Sequence, residues 1–295
     1  MEVYMRLKDK LASGEFAILT EMEPPKGVDV SGMVSGASKV KGAVDAFVVP
    51  EMSNAVMRMS ALGGAMILQG KGMETVMQIS CRDRNRLALQ ADLLAAYGCG
   101  IHNIMAVTGE EPNYGDHHQA KAVYDITISE MLKGIKTLQN GKDMAGIELL
   151  GAPEFFTGAT LNTGAKGEAL EKELLLMKEK IESGVGFFIT PPLFDINDLT
   201  SFLKHTDTGN ASIIPTVLLL KSVGMARYMA RSMDHINIPD ELIKRIQKAG
   251  DKVHECILIA KEMVKSIKQE GFGGVMISTM GWEARLPEIL GGMGV

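Results

Sequence analysis

Several features that define other protein classes are scarce in this sequence. Its three cysteines, Cys81, Cys99 and Cys256, stand far apart in 295 residues, which excludes a disulfide framework and Cys-x-x-Cys metal pairs. Such cysteine usage favours a reducing compartment. Basic residues do not predominate, because 31 Lys and Arg stand against 36 Asp and Glu, for a formal net charge of −5. A nucleic acid or an anionic membrane surface is therefore not the expected partner.

Long apolar runs are also missing. No window approaches the roughly 18–20 uninterrupted apolar residues that a membrane span requires. The segment Met1–Arg6 does not follow the basic-then-apolar order of a signal peptide. We therefore expect a cytoplasmic protein without a membrane partner. No Pro-, Gly- or Ser-rich linker divides the chain, which predicts one domain over residues 1–295.

What the sequence does contain is a series of short apolar runs rich in β-branched residues. Eight runs have this form: Phe16–Thr20, Ala43–Val49, Thr75–Ser80, Ile101–Val107, Ala145–Ala152, Gly186–Thr190, Ser212–Leu219 and Gly273–Ser278. The intervals have helical periodicity, and such an alternation is typical of a parallel sheet covered by helices. Eight units predict a single (β/α)8 TIM barrel, with a helical insertion around 235–270 between the last two strands.

The segments that directly follow the predicted strands are unusually polar, and in a barrel these segments form the active site. They are Glu21–Gly27, Pro50–Asn54, Cys81–Asn85, Thr108–His118 and Pro191–Asp195. No Gly-x-Gly-x-x-Gly turn follows the first run, so a doubly wound nucleotide-binding sheet is disfavoured. Several acids are expected at one rim. From position alone, Glu21 is either a catalytic acid or part of a structural ion pair with Lys26 or an arginine.

Taken together, these segments resemble the methylenetetrahydrofolate reductase family over nearly the whole chain. The resemblance is carried by Cys81–Asn85, Val107–Glu110 with Gly115 and Asp116, Val123–Asp125 and Gly158–Asn162. It is strongest toward the reductase module that is fused to homocysteine methyltransferases. The resemblance implies a flavoprotein barrel that reduces 5,10-methylenetetrahydrofolate to 5-methyltetrahydrofolate in one-carbon metabolism.

The resemblance also implies roles for individual residues. Glu21 matches the family's catalytic acid, and Glu110 stands where the family usually has an Asp near the flavin and the pterin. Pro191 replaces a Gln that binds the pterin, and Lys221 is a candidate contact for the glutamate tail of folate. The implied flavin contacts are Arg82, Asp83, Thr108, Gly109, Tyr124, Gly158, Ala159, Thr160 and Lys180. Negative charge from Glu23, Glu51 and Glu110 is expected to keep Glu21 protonated.

The implied cofactor is a flavin, FAD in preference to FMN, with NAD(P)H as the expected electron donor. Two alternatives stay open. In the first, the same half-reaction takes its electrons from a partner subunit, because the nicotinamide-facing positions near Leu220–Val223 depart from the family pattern. In the second, the chain is a flavin-free pterin- or folate-binding barrel. A homo-oligomer or hetero-complex is expected, and a metal site is not, because His117 and His118 lack further ligands at metal spacing.

Overall fold

Eight parallel strands close into a barrel in the computed structural model, which describes residues 5–233 and 236–291. The strands are β1 (Ala17–Glu21), β2 (Ala46–Val49), β3 (Thr75–Ser80), β4 (Asn103–Val107), β5 (Phe156–Thr160), β6 (Val185–Pro192), β7 (Ser212–Leu218) and β8 (Gly274–Ser278). Each strand pairs with the next in sequence, and β8 pairs with β1 through the partners Met276 and Leu19. The predicted (β/α)8 barrel is therefore confirmed.

Helices cover the outside of the barrel. The described residues form α1 (Leu7–Ala12), α2 (Ser31–Val40), α3 (Ala61–Gln69), α4 (Arg86–Gly98), α5 (Ile128–Gln139), α6 (Glu168–Glu182), α7 (Ile196–Leu203), α8 (Val223–Ser232), α9 (Asp240–Lys248), α10 (Lys252–Gln269) and α11 (Leu286–Leu290). Helix α1 precedes β1, and its Leu7 and Leu11 pack into the barrel interior. The described helices include none that is long and apolar enough to cross a bilayer.

The two faces of each strand pack into different clusters. Ala17 and Leu19 of β1 belong to the same interior cluster as Phe187, whereas Ile18 belongs to the cluster that the helices cover. This alternation follows from the two-residue period of a strand. It determines which strand-end side chains face the open mouth at the carboxyl end of the barrel.

The predicted fifth strand, Ala145–Ala152, is wrong, and β5 lies further along the chain. Gly146 and Gly151 adopt φ angles of +88° and +89°, which are incompatible with an extended strand. The side chain of Asp143 accepts hydrogen bonds from the backbone N–H groups of Ala145 and Ile147, at 2.9 and 2.8 Å, and so stabilises a turn. The apolar residues of this segment therefore lie in a surface loop.

Between β7 and β8 the described residues form three helices, α8, α9 and α10, although one helix is enough for a parallel crossover. Helices α9 and α10 lie in the segment where the sequence predicts an insertion. Residue 235, at which that predicted insertion begins, lies outside the described residues, as do both ends of the predicted domain over 1–295.

Candidate active site

Strand β1 ends at Glu21, and strand alternation directs this side chain into the mouth of the barrel. Ala17 and Leu19 face the interior, so Glu21 is the next residue on the same face. Ser278 ends the neighbouring strand β8, and its Oγ donates a hydrogen bond to Oε1 of Glu21 at 3.2 Å. Barrel closure therefore joins two residues that are 257 positions apart in the chain.

The surroundings of Glu21 favour its protonated form. Burial is the largest effect and, together with the negative charges of Glu23 and Glu283, it raises the pKa of Glu21 from 4.5 to about 7, against the opposing hydrogen bond from Ser278. Within the described part of the chain, Glu21 forms no ion pair with an arginine or with Lys26. A carboxyl group in this state can both hold and release a proton near neutral pH.

The acids whose charges raise the Glu21 pKa differ in part from those that the sequence predicts. Glu23 has the expected effect, but the second charge comes from Glu283 rather than from Glu51 or Glu110. Glu283 follows β8 in the short 3-10 turn Glu283–Arg285. Glu283 was not predicted from the sequence as a site residue. Its position after the eighth strand could have indicated it, because site residues of a barrel follow the strands.

Glu51 has a structural role instead. It is buried, and its Oε2 accepts a hydrogen bond from the backbone N–H of Ala61, the first residue of α3, at 3.0 Å. Its other oxygen lies 3.4 Å from Arg84 Nη2. A carboxylate at a helix N-terminus is stabilised by the free N–H groups and the helix dipole, so Glu51 fixes the start of α3.

Two cations lie beside the acids at the mouth. Arg58 Nε is 2.8 Å from Glu23 Oε1. Lys221, which follows β7, lies over the ring of Trp282 with its Nζ 5.2 Å from the ring centroid, and it donates a hydrogen bond to the carbonyl of Met280. Burial raises the pKa of Glu23, and the charges of Arg58 and Lys221 oppose that rise. The structure therefore places Lys221 at the same mouth as Glu21.

Arg82 lies beneath the rim and is almost completely buried, with 2% of its surface exposed. Its guanidinium forms a bidentate pair with the neighbouring Asp83, at 2.7 and 2.8 Å. It also donates to the carbonyl oxygens of Met52 at 3.5 Å and Glu110 at 3.3 Å. Arg82 thus ties the loops after β2, β3 and β4 together.

The Glu110 carboxylate is 55% exposed and lies 3.5 Å from Arg82 Nη1. Arg82 therefore holds the Glu110 backbone firmly but its carboxylate only loosely. The preceding Gly109 has a φ of +86°, and a Cβ atom there would lie 2.4 Å from Ser80 Oγ. Tyr124 donates from its hydroxyl to the Gly109 carbonyl at 3.1 Å, and Thr108 is exposed. Only glycine fits at position 109, and it lets this loop pack tightly against β3.

The implied flavin residues of β5 occupy different environments. A Cβ atom at Gly158 would lie 2.2 Å from the Phe187 ring, so this glycine makes room inside the barrel. Ala159 is buried among the helices, and Thr160 is exposed at the strand end. Lys180 of α6 is buried, and its Nζ donates to the Thr160 carbonyl at 2.8 Å, with Glu173 Oε1 at 3.5 Å. Lys180 thus reaches the end of β5 from outside the barrel.

Pro191 is half-buried near the end of β6, where its carbonyl accepts a hydrogen bond from Thr190 Oγ1 at 2.8 Å. A cavity of about 190 Å³ opens next to it. This cavity is lined by Thr163 and Lys166 of the loop after β5, by Pro192, and by His205 beyond α7. Asp198 also lines it, so the carboxyl ends of β5 and β6 border a concave surface with both basic and acidic side chains.

Asp116 links three rim loops and was not predicted as a site residue. It forms an ion pair with Lys26 of the loop after β1, and its Oδ1 accepts a hydrogen bond from the backbone N–H of Met57 at 3.0 Å. His117 Nδ1 lies 2.8 Å from the same oxygen. The bond from Lys26, with that from Met57, lowers the pKa of Asp116, which keeps the carboxylate ionised. The loops after β1, β2 and β4 therefore form one wall of the mouth.

The predicted site residues thus fall into two sets. The structure brings to the mouth Glu21, Thr108, Glu110, Thr160, Pro191 and Lys221. It packs the others beneath or behind the rim: Arg82, Asp83, Gly109, Tyr124, Gly158, Ala159 and Lys180. Their roles toward a cofactor or a substrate stay predictions.

Fold and site together define a (β/α)8 barrel with a protonatable carboxyl group at the carboxyl ends of its strands, as in a barrel enzyme that uses acid catalysis. Residues 6–294 match the sequence profile of the family described as Methylenetetrahydrofolate reductase. The chain belongs to the methylenetetrahydrofolate reductase family, as the resemblance implied.

Curated relatives are considerably longer than this chain. Methylenetetrahydrofolate reductase 2 of Schizosaccharomyces pombe is 22% identical over 257 residues, which cover 82% of this chain and 39% of the yeast protein. A probable methylenetetrahydrofolate reductase (NADH) of Oryza sativa subsp. japonica is 23% identical over 231 residues, which cover 76% of this chain and 38% of the rice protein. The chain therefore spans less than half the length of these relatives.

Solved structures share the barrel at low sequence identity. One is an uncharacterized protein from Clostridium thermocellum that binds two copies of 5-methyl-5,6,7,8-tetrahydrofolic acid, with a TM-score of 0.63, 15% identity and 96% coverage of both chains. Another is the EDTA monooxygenase of Chelativorans sp. BNC1, with a TM-score of 0.56, 11% identity, and coverage of 93% of this chain and 92% of the other. These likenesses concern the fold.

The hydrogen bond from Ser278 offers a direct test of the electrostatics around Glu21. Because this bond stabilises the ionised form, Ser278→Ala should raise the Glu21 pKa above about 7. The alkaline limb of any step that needs protonated Glu21 should then move to higher pH, measured as the pH profile of that step. Thr279→Val is the matched control, since the Thr279 hydroxyl is buried without a hydrogen-bond partner among the described residues. A limb that stays in place in Ser278→Ala would contradict this account of Glu21.

Proposed function

We propose that this chain catalyses the flavin-dependent reduction of 5,10-methylenetetrahydrofolate to 5-methyltetrahydrofolate. In this proposal residues 1–295 act as one flavin-binding barrel domain, with the helical insertion around 235–270. The observation that carries the proposal is the environment of Glu21, a buried carboxyl group at the mouth whose pKa is raised to about 7. Family membership supports the choice of substrate and reaction.

The proposed reaction needs a proton before it can use a hydride. The imidazolidine ring of the substrate opens when N10 is protonated, and the resulting 5-iminium cation accepts a hydride at its methylene carbon. Glu21 supplies the proton, because burial keeps its carboxyl group protonated in part of the molecules near neutral pH. Once Glu21 has donated, its carboxylate and those of Glu23 and Glu283 favour the cation over the neutral ring.

The donors around the ends of β3, β4 and β5 fit a flavin. Thr108 and Thr160 are exposed there, and Tyr124 stands behind Gly109. Lys180 is the proposed phosphate contact, but its Nζ is buried, bonded to the Thr160 carbonyl and paired with Glu173, so in the proposal this side chain moves when the cofactor binds. The proposed cofactor is FAD rather than FMN, and when bound it supplies hydride transfer.

The buried residues of this region contribute shape more than charge. Arg82 and Asp83 neutralise each other through their bidentate pair. Gly109, Gly158 and Ala159 have no side chain beyond Cβ, so the backbone behind the proposed flavin packs closely. In the proposal Gly109 lies in the wall against which the flavin packs, whereas Gly158 and Ala159 shape the end of β5 behind that wall.

Substrate contacts are proposed for three residues at the mouth. The exposed carboxylate of Glu110 accepts hydrogen bonds from the pterin. Lys221, held over Trp282, meets the glutamate tail of the folate. Pro191 has no side-chain donor, so the hydrogen bond that a Gln would make to the pterin is absent there.

Glu110→Gln should weaken folate binding and slow the folate half-reaction together. A charged hydrogen bond contributes about 1.5–3 kcal/mol, which corresponds to roughly 10- to 150-fold in affinity. Stopped-flow reoxidation of the reduced protein across a range of methylenetetrahydrofolate concentrations measures both quantities. Pro191→Gln, which adds an amide at the same mouth, should tighten binding or leave it unchanged. If Glu110→Gln reoxidises like the parent at every concentration, Glu110 is a solvent-facing loop acid.

The electron donor is proposed to be NAD(P)H, acting directly on the bound flavin. In the alternative, electrons come from a partner subunit of a hetero-complex, and the departures near Leu220–Val223 are compatible with that arrangement. The proposed setting is the cytoplasm, in keeping with three free cysteines, of which Cys81 and Cys256 are buried.

The experiment that tests the function begins with the purified full chain. Its absorption spectrum and the mass of the cofactor released on denaturation identify the flavin. Anaerobic reduction with NADH and with NADPH, followed by mixing with methylenetetrahydrofolate, then measures the two half-reactions. Turnover with either nucleotide supports the proposal in full. Reduction only by an artificial dye or a copurifying subunit favours the partner alternative, and a gently purified protein without flavin bands favours the flavin-free barrel.

A further inference from the structure

A second concave site lies at the opposite end of the barrel from Glu21, where β2, β3 and β4 begin. Its volume is about 370 Å³, within the range of about 300–1,000 Å³ that is usual for ligand pockets. The turns that lead into these three strands form its walls, and Arg6, at the start of α1, lies at its edge. Chemistry in a barrel takes place at the other end, so the proposed reaction leaves this cavity unused.

The two acids that line this amino-end cavity already have partners. Asp45 pairs with Lys10 Nζ at 2.6 Å through one oxygen and accepts the backbone N–H of Ile18 at 2.7 Å through the other. Glu74 Oε1 accepts hydrogen bonds from the Leu7 N–H at 3.0 Å and from Asn103 Nδ2 at 2.8 Å. Burial raises the pKa of Glu74, and the hydrogen bonds from Asn103 and Leu7 and the charge of Arg6 oppose that rise. Neither acid therefore requires a cationic ligand.

The two cations that line the cavity, Arg6 and Lys41, have fewer hydrogen-bond and ion-pair partners than the two acids. Lys41 Nζ donates one hydrogen bond, to the Lys71 carbonyl at 2.8 Å, which leaves two of its three N–H groups for a ligand. Within residues 5–233 and 236–291, Arg6 makes no side-chain hydrogen bond and no ion pair at 4.0 Å or less. The two cations balance the two acids of the lining in number, but Lys10, outside the lining, already neutralises Asp45. The cavity is therefore suited to an anion.

A buried nitrogen and an apolar floor complete the cavity. His102 Nδ1 is buried and has no hydrogen-bond partner among the described residues, and the Tyr97 ring packs edge-on against the imidazole at 5.1 Å. Because this nitrogen is fully buried, it belongs to the packed wall behind the cavity, and the rest of the His102 ring contributes to the lining. Phe47 and Met73, both buried, supply the apolar surface.

We propose that the amino-end cavity binds a small organic anion, a carboxylate or phosphate monoester with an apolar body. Arg6 and Lys41 hold the anionic group by charge-assisted hydrogen bonds, and the apolar body lies against Phe47 and Met73. This site is separate from the mouth that contains Glu21, and its occupation does not depend on a flavin.

Methyl NMR of the full chain tests this proposal without measuring activity. Met73 lies in the cavity wall, so its methyl-¹³C signal, assigned with Met73→Leu, reports on ligands there. The probes are phenyl phosphate, benzoate and the cation benzylamine. Saturable shifts of the Met73 signal are expected with phenyl phosphate and benzoate but not with benzylamine. A larger response to phenyl phosphate indicates a phosphate ligand, and a larger response to benzoate indicates a carboxylate ligand.

Paired charge variants show whether the cations form the site. Arg6→Gln with Lys41→Gln should weaken binding of the better probe by about tenfold or more, because two charge-assisted bonds are lost. Lys8→Gln with Lys39→Gln removes two exposed charges from α1 and α2 outside the lining and should bind like the parent. Unshifted signals of interior methionines such as Met105 show that the fold is intact. No saturable shift, an equal response to benzylamine, or unchanged binding in the Arg6 and Lys41 variant would overturn the proposal.

Discussion

Glu21→Gln is expected to lose methylenetetrahydrofolate reduction while its flavin still binds and is still reduced. The amide has the shape of the acid and can donate a hydrogen bond, but it has no proton to give to N10. Removal of a positioned general acid typically lowers the rate by about 10²–10⁴-fold. Hydride transfer to the flavin needs no acid, so only the folate half-reaction should slow. Stopped-flow measurement of the two half-reactions separates these effects.

The matched control for this variant is Glu23→Gln, two residues along the same segment. Glu23 pairs with Arg58 and acts on Glu21 only through its charge, so its loss should lower the Glu21 pKa and leave the acid in place. Glu23→Gln should therefore slow the folate half-reaction far less than Glu21→Gln does. If Glu21→Gln slows both half-reactions equally, Glu21 supports the structure of the mouth and is not the acid.

Arg82→Met should destabilise the protein and disorder three rim loops at once. Met fills a similar volume, but Asp83 loses both bonds of its bidentate pair, and the carbonyl oxygens of Met52 and Glu110 lose their donor. Removal of one partner from a buried ion pair costs about 3–5 kcal/mol. Because Asp83 is partly exposed, the loss should lie near the lower end of that range, about 3 kcal/mol. Urea unfolding, analysed by the shift of its midpoint, measures this change.

An exposed arginine provides the comparison. Arg285 forms a surface pair with Glu288, at 2.6 Å within one turn, and Arg285→Met should change the free energy of unfolding by less than about 1 kcal/mol. Similar midpoints for the two variants would mean that the Arg82 pair contributes no more than a surface ion pair. In that case Arg82 could be replaced without loss of the loop arrangement.

The barrel could be predicted from the sequence because strands of a parallel sheet are buried on both faces. That burial produces continuous apolar runs, such as Thr75–Ser80, which coincides with β3. The fifth strand was misplaced because an apolar run does not always form a strand, and a strand is not always an apolar run. Ala145–Ala152 is apolar but lies in a glycine-containing loop. Strand β5 contains Gly158, which is needed there because a larger residue would clash with the Phe187 ring of the neighbouring strand. A contact of that kind has no local signal.

The position of the site could be predicted from the sequence, but the hydrogen bonds and ion pairs of its residues could not. Strand-end acids pointed to Glu21, yet Ser278 and Glu283, which act on its pKa, belong to the far end of the chain. The adjacent positions of Arg82 and Asp83 gave no sign of their bidentate pair, since neighbours in sequence rarely face each other. Likewise, Lys180 looks like an exposed residue of an amphipathic helix. Only the fold shows that it is buried against Thr160.

Burial in the barrel mouth should let Glu21 hold a proton near neutral pH. The most direct measurement is its own titration, followed by the side-chain carboxyl ¹³C signal in glutamate-labelled protein and assigned by comparison with Glu21→Gln. We expect a midpoint near pH 7, with the carboxyl group protonated below it. A midpoint near 4.5, the ordinary value for a glutamate, would show that Glu21 is ionised throughout the neutral range and would contradict its role as the acid.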